Sequence, residues 1–412
     1  PIKNISVMLD CEIIKFNFVN ISSSNISSAH RSSNANVFNF NSIDEYFNIL
    51  NKNGIVLNQD VRKKNILEQI SKIEIDNNIK VYIDNELLDE LLLINENPMA
   101  VLGNFDESFL KLPSEVIVGS MKDHQRYFAC FKDSTYNRII NNFIVITSSL
   151  DKDKSYVLKG NEKVLNARLS DGIFFYENDL KNELNYKGLA NISFLKGLGS
   201  LEDKYKNEYK ISSYLNTTLS LKLDENKLQK ANIYAKADLL SSMVGEFAYL
   251  QGTMGAYYAK EQGFDDDIVA GIKEQYLPKN ENDILPSSLF SAIIALSVKI
   301  DTILSVFSVG LIPTGSKDPY ALRRAVFGVI NICFKFNLEL DFKKLIQDNK
   351  SRYSNKNKSE NNYSDSEYNI DVDKLILFFN ERYIKIFSTN GINPSYINSV
   401  LKSSNLNICN IN

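Results

Sequence analysis

His30 and His124 are the only imidazoles in the chain. A metal centre built on several histidines cannot be assembled from two alone, and any His-based triad has just these candidates. The four cysteines, Cys11, Cys130, Cys333 and Cys409, lie far apart with no C-x-x-C pair. A structural zinc site is therefore not expected, and the thiols fit a reducing compartment. Asp238 and Glu246 fall in one stretch that reads as a long helix. Eight positions there span roughly 12 Å, too far to share a proton, so structural roles are expected for both. Gly-x-Gly-x-x-Gly, His-Glu-x-x-His, Gly-x-Ser-x-Gly and Walker spacings are absent. Nothing builds a self-contained ATP site or nucleophilic centre. The sequence assigns no catalytic residue and no metal ligand.

Cations are more informative. Pro313-Thr-Gly-Ser-Lys-Asp-Pro-Tyr-Ala-Leu-Arg-Arg-Ala opens with a loop, places Asp318 to cap a helix and sets Pro319 at its first position. Leu322, Val326, Val329, Ile330 and Cys333 then form one apolar stripe, with Arg323 and Arg324 off it. Lys317, Arg323 and Arg324 beside a helix N-terminus could hold phosphate. The alternative is a capped core helix whose arginines pair with nearby carboxylates. In Met121-Lys-Asp-His-Gln-Arg-Tyr-Phe, Lys122, Gln125 and Arg126 sit beside two aromatics, a combination suited to RNA by phosphate pairing and stacking. A strand entrance with a polar face explains the same pattern. Gly160-Asn-Glu-Lys-Val-Leu-Asn-Ala-Arg-Leu-Ser-Asp puts Lys163 and Arg168 on one helix, where Arg168 and Asp171 could simply pair.

The elements that must position these groups follow from pattern. With 412 residues, 44% hydrophobic and 24% charged, the chain can bury a core in two or three domains. Lys and Arg total 47 against 50 Asp and Glu, a net charge of −3. That excludes a wholly basic nucleic-acid binder and leaves room for a local basic patch. Residues 1–45 read as short strands and loops, Ile43 to Ile83 as polar helix, and Glu86 to Leu93 as helix. Glu115 to Gly119, Tyr127 to Phe131 and Asn142 to Thr147 read as strands, with Asp133 to Asn137 a turn. Gly160 to Phe175 reads as a helix capped by Asn161. Residues 191–345 are almost wholly helical in pattern, including Lys227 to Gly245 and the apolar stretch Leu289 to Ile312. Lys299 and Asp301 interrupt that stretch, so a buried or amphipathic helix is expected there and no membrane association. Ser351 to Asn369 lacks periodicity and reads as a solvated linker. Helical spacing returns over 371–403. The opening residues lack a signal-peptide layout, and cytoplasmic location is the default.

Six blocks in series resemble one family, the beta subunit of the bacterial two-subunit glycyl-tRNA synthetase. They are Gly103-Asn-Phe-Asp-Glu-Ser-Phe-Leu-Lys-Leu-Pro-Ser-Glu-Val, Met121 to Phe128, Gly160 to Asp171 followed by Phe174-Phe-Tyr-Glu-Asn-Asp, Leu198-Gly-Ser-Leu-Glu-Asp-Lys, Lys236-Ala-Asp-Leu-Leu to Gln251-Gly-Thr-Met-Gly, and Pro313 to Ala325. The resemblance is strong from 100 to 336 and diffuse on either side, with His30-Arg31 as a shorter upstream block. It implies an α+β chain: a mixed α/β N-terminal region, a mainly helical HD-like domain, and the start of a helical anticodon-binding domain. The implied layout is a partial N-terminal α/β region at 1–96, a mixed α/β unit at 97–190, the HD-like domain at 191–345, a polar linker or insertion at 346–370, and the truncated anticodon-binding start at 371–412. The family's subunit is longer at both ends, so an internal portion is expected.

The resemblance also implies a division of labour. The alpha subunit would carry catalysis, using glycine, ATP and magnesium, while this chain binds no cofactor. The chain would bind and position tRNA(Gly) within an alpha2beta2 tetramer. Lys317, Arg323 and Arg324 are the first choice for phosphate contact, with Lys122, Gln125, Arg126, Lys163 and Arg168 behind them. Two alternatives are an HD-type metal-dependent phosphohydrolase and an assembly scaffold without direct tRNA contact. The histidine count disfavours the first, since neither histidine lies within 191–345. The family often carries Ala-Asp-Lys before the next Asp, where this chain has Ser297-Val-Lys-Ile-Asp301, one carboxylate fewer.

Overall fold

The computed structural model describes residues 2, 4–30, 37–150, 153–195, 197–281, 283–313, 317–353, 369–389 and 391–403. Arg31, the Thr314-Gly-Ser loop, Cys409 and most of the expected linker lie outside them. The chain divides into two compact units, Pro1–Phe174 and Phe175–Asn412. The expected boundaries at 96/97 and 370/371 fall inside these units.

The first unit opens, as expected, with short strands. Three antiparallel pairs follow one another: β1 (Met8–Leu9) with β2 (Glu12–Ile13), β3 (Asn17–Phe18) with β4 (Ile21–Ser22), and β5 (Ile26–Ser28) with β6 (Val37–Asn39). The polar helical stretch is two helices, α1 (Ile43–Lys52) and α2 (Gln59–Asn77), capped by Ser42 and Asn58. After β7 (Lys80–Val81) come α3 (Asn85–Ile94), β8 (Met99–Asn104), α4 (Ser114–Gly119), β9 (Phe128–Phe131) and β10 (Ile139–Thr147). The larger strands form an antiparallel sheet in the order β7-β9-β10-β8, with Ile144 opposite both Phe128 and Leu102. Ile66 and Ile70 of α2 and Leu87, Leu88 and Leu91 of α3 pack against Phe128, Cys130, Ile144 and Ile146 of the sheet.

The predicted strand at Glu115 to Gly119 is α4, continued by a π-turn over Ser120–Gln125. Its β-branched residues favour a strand locally, but Pro113 enters with φ −51°, suited to starting a helix. Val116, Ile117 and Met121 are then all fully buried, a set that falls on one face of a helical turn. The helix predicted from Gly160 begins earlier, as α5 (Ser155–Leu180), and runs across the division between the units. Asn161 does not cap it. Its Nδ2 donates to the Val157 carbonyl at 2.6 Å, an interior back-bond, and its Oδ1 accepts from the Tyr127 hydroxyl at 2.6 Å.

The second unit holds α6 (Leu201–Thr218), α7 (Glu225–Tyr234), α8 (Ser242–Glu246), α9 (Thr253–Glu261), α10 (Asp266–Glu274), α11 (Leu289–Ser308), α12 (Leu322–Phe336), α13 (Phe342–Asn349), α14 (Val372–Thr389) and α15 (Pro394–Ser403). α11 is long and apolar enough to cross a membrane, yet every residue from Phe290 to Ser308 except Thr302 is buried. A helix apolar on all sides is the centre of a packed unit. α6, α10 and α12 lie directly on it. α14 packs on α12 and α13, with the Phe342 and Phe379 rings 3.9 Å apart, so 371–403 belongs to this unit's core.

The continuous helix predicted over Lys227 to Gly245 is broken. α7 stops at Tyr234, Ala237–Leu240 is a 3-10 turn, and α8 restarts at Ser242. Two buried or half-buried carboxylates take backbone amides at the helix starts that follow, Asp179 at α8 and Asp238 at α9. Asp238 Oδ2 accepts from Gly252 and Gly255 at 2.6 and 3.0 Å. Asp179 accepts from Ser242 and Met243 at 2.9 Å each, and also from the Tyr258 hydroxyl. Gly252 has φ +82°, and a Cβ on Gly255 would stand 3.1 Å from Asp238 Oδ2, so this clasp needs glycine at both places.

Candidate functional site

At the start of α12, Asp318 caps as expected, but from further upstream. Its carboxylate accepts from the amides of Leu322 at 2.8 Å and Arg323 at 3.0 Å. Ala321 takes φ +56°, which delays the first helical residue from Pro319 to Leu322. Arg323 and Arg324 therefore stand in the first turn, beside the positive end of the helix dipole. The stripe of Leu322, Val326, Val329, Ile330 and Cys333 is fully buried. Lys317 and Arg324 are exposed, and Arg323 is half-buried. The structure thus gathers these three cations at one helix end, anchored by a core stripe.

In the first unit, geometry favours the structural alternative for two candidates. Lys122 Nζ lies 2.6 Å from Asp84 Oδ2, and Asp84 is itself the N-cap of α3. Glu86 adds a second contact at 3.7 Å. Burial alone would lower the Lys122 ammonium, but its bond to Asp84 and the neighbouring charges hold it above its usual range. Arg126, with φ +59°, turns its Nε onto Glu90 of the same helix. Both cations fasten the π-turn to α3. Gln125 Oε1 lies 3.5 Å from the Tyr127 hydroxyl, whose proton goes to Asn161 at 2.6 Å. Lys163 is exposed on α5, and Arg168 lies half-buried one turn on.

Beneath α12, the second unit carries a buried charge network. Lys204 Nζ is 2.7 Å from Asp301 Oδ2 and 3.2 Å from Glu208 Oε1, and it donates to Thr302 at 3.0 Å. Lys236 Nζ is 3.0 Å from Glu208 Oε2 and donates to Gln275 Oε1 at 2.7 Å. The Tyr353 hydroxyl donates to Asp301 Oδ1 at 2.9 Å. None of these charged side chains is more than 6% exposed. Burial would lower both ammonium groups. Two carboxylates overcome that at Lys204 and hold it above its usual range. Lys236 faces Glu208 and is repelled by Lys204, so burial prevails and it falls below. Burial, with Glu208 adding, pushes the Asp301 carboxyl up. The Lys204 ammonium, 2.7 Å away, works against that shift.

A family model for the glycyl-tRNA synthetase beta subunit matches residues 1–402. The chain belongs to the glycyl-tRNA synthetase beta subunit family. A glycine–tRNA ligase beta subunit of Helicobacter pylori (strain Shi470) is 42% identical over 425 residues, covering 100% of this chain and 58% of that protein. That of Clostridioides difficile (strain 630) is 37% identical, covering 98% of this chain and 57% of its own length. That of Streptococcus mutans is 40% identical over 84% of the chain. The chain thus spans somewhat over half the length of these relatives.

Within this beta-subunit family chain, the network marks what sequence reading overlooked. Lys204 and Lys236 both lie in the family-like blocks, and Asp301 was singled out for a vanished neighbour. The available signal was lysine at core spacing: Lys204 stands among Leu201, Tyr205 and Ile211 of α6, all buried. Their chemistry does not fit a divalent cation. Two of the buried carboxylates, Glu208 and Asp301, are neutralised by ammonium groups, and both histidines lie in the other unit. Among the described residues, no group of three or more His, Cys, Asp or Glu side chains could hold a metal.

Proposed function

We propose that this chain is the tRNA-handling portion of a two-subunit glycine–tRNA ligase, working in the cytoplasm with an alpha subunit that carries catalysis. The observation that carries this reading is family membership over residues 1–402. The complex would use ATP and magnesium at the alpha subunit, and its expected form is an alpha2beta2 tetramer. The chain's part is to hold tRNA(Gly) so that its 3′ end reaches the distant active site. Holding two reactants in register removes entropy from the barrier and can supply several kcal/mol.

Of the eight candidate contacts, Lys317, Arg323 and Arg324 fit this role best. They share one helix end, two are exposed, and the Asp318 cap fixes the backbone beneath them. Lys163 is a second accessible cation. Lys122 and Arg126 are engaged by α3 carboxylates and would contact RNA only by exchanging those partners. The test is co-purification with the alpha subunit followed by tRNA charging, with Lys317, Arg323 and Arg324 changed to alanine. Glycylation and tRNA affinity should fall while glycine-dependent pyrophosphate exchange changes far less. Unaltered tRNA affinity and charging would remove these residues from the role.

A further inference from the structure

A cavity of about 410 Å³ opens in the second unit, and its wall is rich in cations: Lys204, Lys236, Lys279, Lys299 and Arg324. That volume lies within the range of small-ligand sites. Lys204 and Lys236 are already served by Glu208 and Asp301 behind the wall. Lys299 is different. It is only 7% exposed, and its Nζ donates to the carbonyls of Tyr276 at 3.1 Å and Pro278 at 3.0 Å. An ammonium has three N–H donors, so one has no acceptor among the described residues. Carbonyl dipoles hold the charge without neutralising it, and the Asp283 carboxylate acts on it only through space. Lys279 and Arg324 are exposed members of the same wall. The wall thus carries more positive charge than its carboxylates balance.

The rest of the wall is mostly aromatic and aliphatic, with Gln251 and Thr302 as its neutral polar members. Phe194, Tyr276 and Tyr320 line it. The Lys204 ammonium sits 4.3 Å from the Phe194 ring centre and that of Lys236 sits 5.2 Å from Tyr276. Half-buried Tyr320, next to the Ala321 turn, keeps a ring for another planar group. The backbone is also built to let Lys299 in. A Cβ on Gly328 of α12 would stand 2.7 Å from Lys299 Cε, so glycine there leaves the passage for its stem.

We propose that this cavity binds a nucleotide, its phosphate held by Lys299, Lys279 and Arg324 and its base against the aromatic wall. The shared chemistry is a phosphate beside a planar ring, carried by a free mononucleotide or by an unpaired nucleotide of an RNA. One buried and two exposed cations in surplus select the anion. The aromatic side chains favour a base over bare phosphate. The site shares Arg324 with the tRNA contact proposed above; Lys299 and Lys279 belong to the cavity alone, and AMP binding is read without tRNA, so failure of one reading leaves the other standing.

Calorimetric titration of the purified chain with AMP, adenosine and pyrophosphate tests it. AMP should bind roughly tenfold or more tighter than adenosine, because a charge-assisted bond is lost with the phosphate. AMP should also bind more tightly than pyrophosphate, and its affinity should fall with salt. Lys299→Gln should weaken AMP by a similar factor. Because that change touches the interior, the exposed pair Lys279→Ala and Arg324→Ala is measured alongside and should weaken AMP as well, with circular dichroism unchanged. Equal binding of AMP and adenosine, no AMP binding at millimolar concentration, or full affinity in the exposed-pair variant would each overturn the proposal. Competition then identifies the source. Displacement of AMP by intact tRNA, but not by tRNA trimmed of its unpaired 3′ nucleotides, assigns the site to RNA. AMP binding that neither displaces assigns it to a free nucleotide.

Discussion

Glu208 and Asp301 bury two negative charges, and their side chains are fully inaccessible. Removing one partner from such a pair leaves an uncompensated ion, which costs more than the pair itself contributes. Asp301→Ala is therefore expected to destabilise the chain by about 3–5 kcal/mol, read as a shift in the urea midpoint. A loss under about 1 kcal/mol would mean that Lys204 finds water or loses its proton cheaply. Asp238 offers a cleaner titration. Burial pushes its carboxyl up to about 6, against the pull of the two amides it accepts from. The folded chain thus takes up this proton more readily than the unfolded chain does. Stability from this group is fully present below the ordinary value of 3.8 and is lost as the pH rises through about 6. Asn at this position can still accept from both amides and has no charge to bury. The stability difference between Asp238→Asn and the parent should therefore shrink by up to about 3 kcal/mol from pH 7 to pH 4. Parallel urea-derived stabilities across that range would refute the assignment.

Helix α12 meets α11 where Gly328 faces the Lys299 stem. Gly328→Ala would push its methyl into a side chain pinned by two carbonyls, an overpacking expected to cost about 1–3 kcal/mol. Lys299→Ala removes the obstacle, so the double variant should be less destabilised than the sum by about 1 kcal/mol or more. Strict additivity in thermal unfolding would show that the two helices do not meet in this way. Elements like these were largely readable in advance. The stripe of α12, the apolar run of α11 and the strands β9 and β10 carry strong periodic or β-branched signals. The misreadings have one physical origin, tertiary partners overriding local preference. Asp179 takes up the amides where the broken helix restarts and Asp238 those at the start of α9, and a buried helical face turns Glu115 to Gly119 away from a strand. The site divided in the same way. Lys317, Arg323 and Arg324 gather because they are near in sequence. Lys204 meets Asp301 across 97 positions, and Lys122 meets Asp84 across 38, pairings that no local pattern contains.

Across the whole molecule the net charge is −3 over 412 residues, so long-range attraction to RNA is weak and any grip must be local. This sets the size of the expected salt effect. Each phosphate neutralised releases condensed counterions, and the slope of log affinity against log salt is about −0.7 to −0.9 per contact. If Lys317, Arg323 and Arg324 each take one phosphate, they account for a slope of about −2 to −3. Changing all three to alanine should flatten the dependence by that amount, as well as lowering affinity at low salt. The single change Lys163→Ala, on a different helix, should move the slope by no more than one contact, about 0.7 to 0.9. Measuring tRNA affinity at several salt concentrations separates the two ways this chain could serve a ligase. An unchanged slope in the triple variant would leave tRNA to other surfaces and favour an assembly role. A slope that collapses with the triple variant would place the RNA grip at the start of α12, despite a net charge that gives RNA no general welcome.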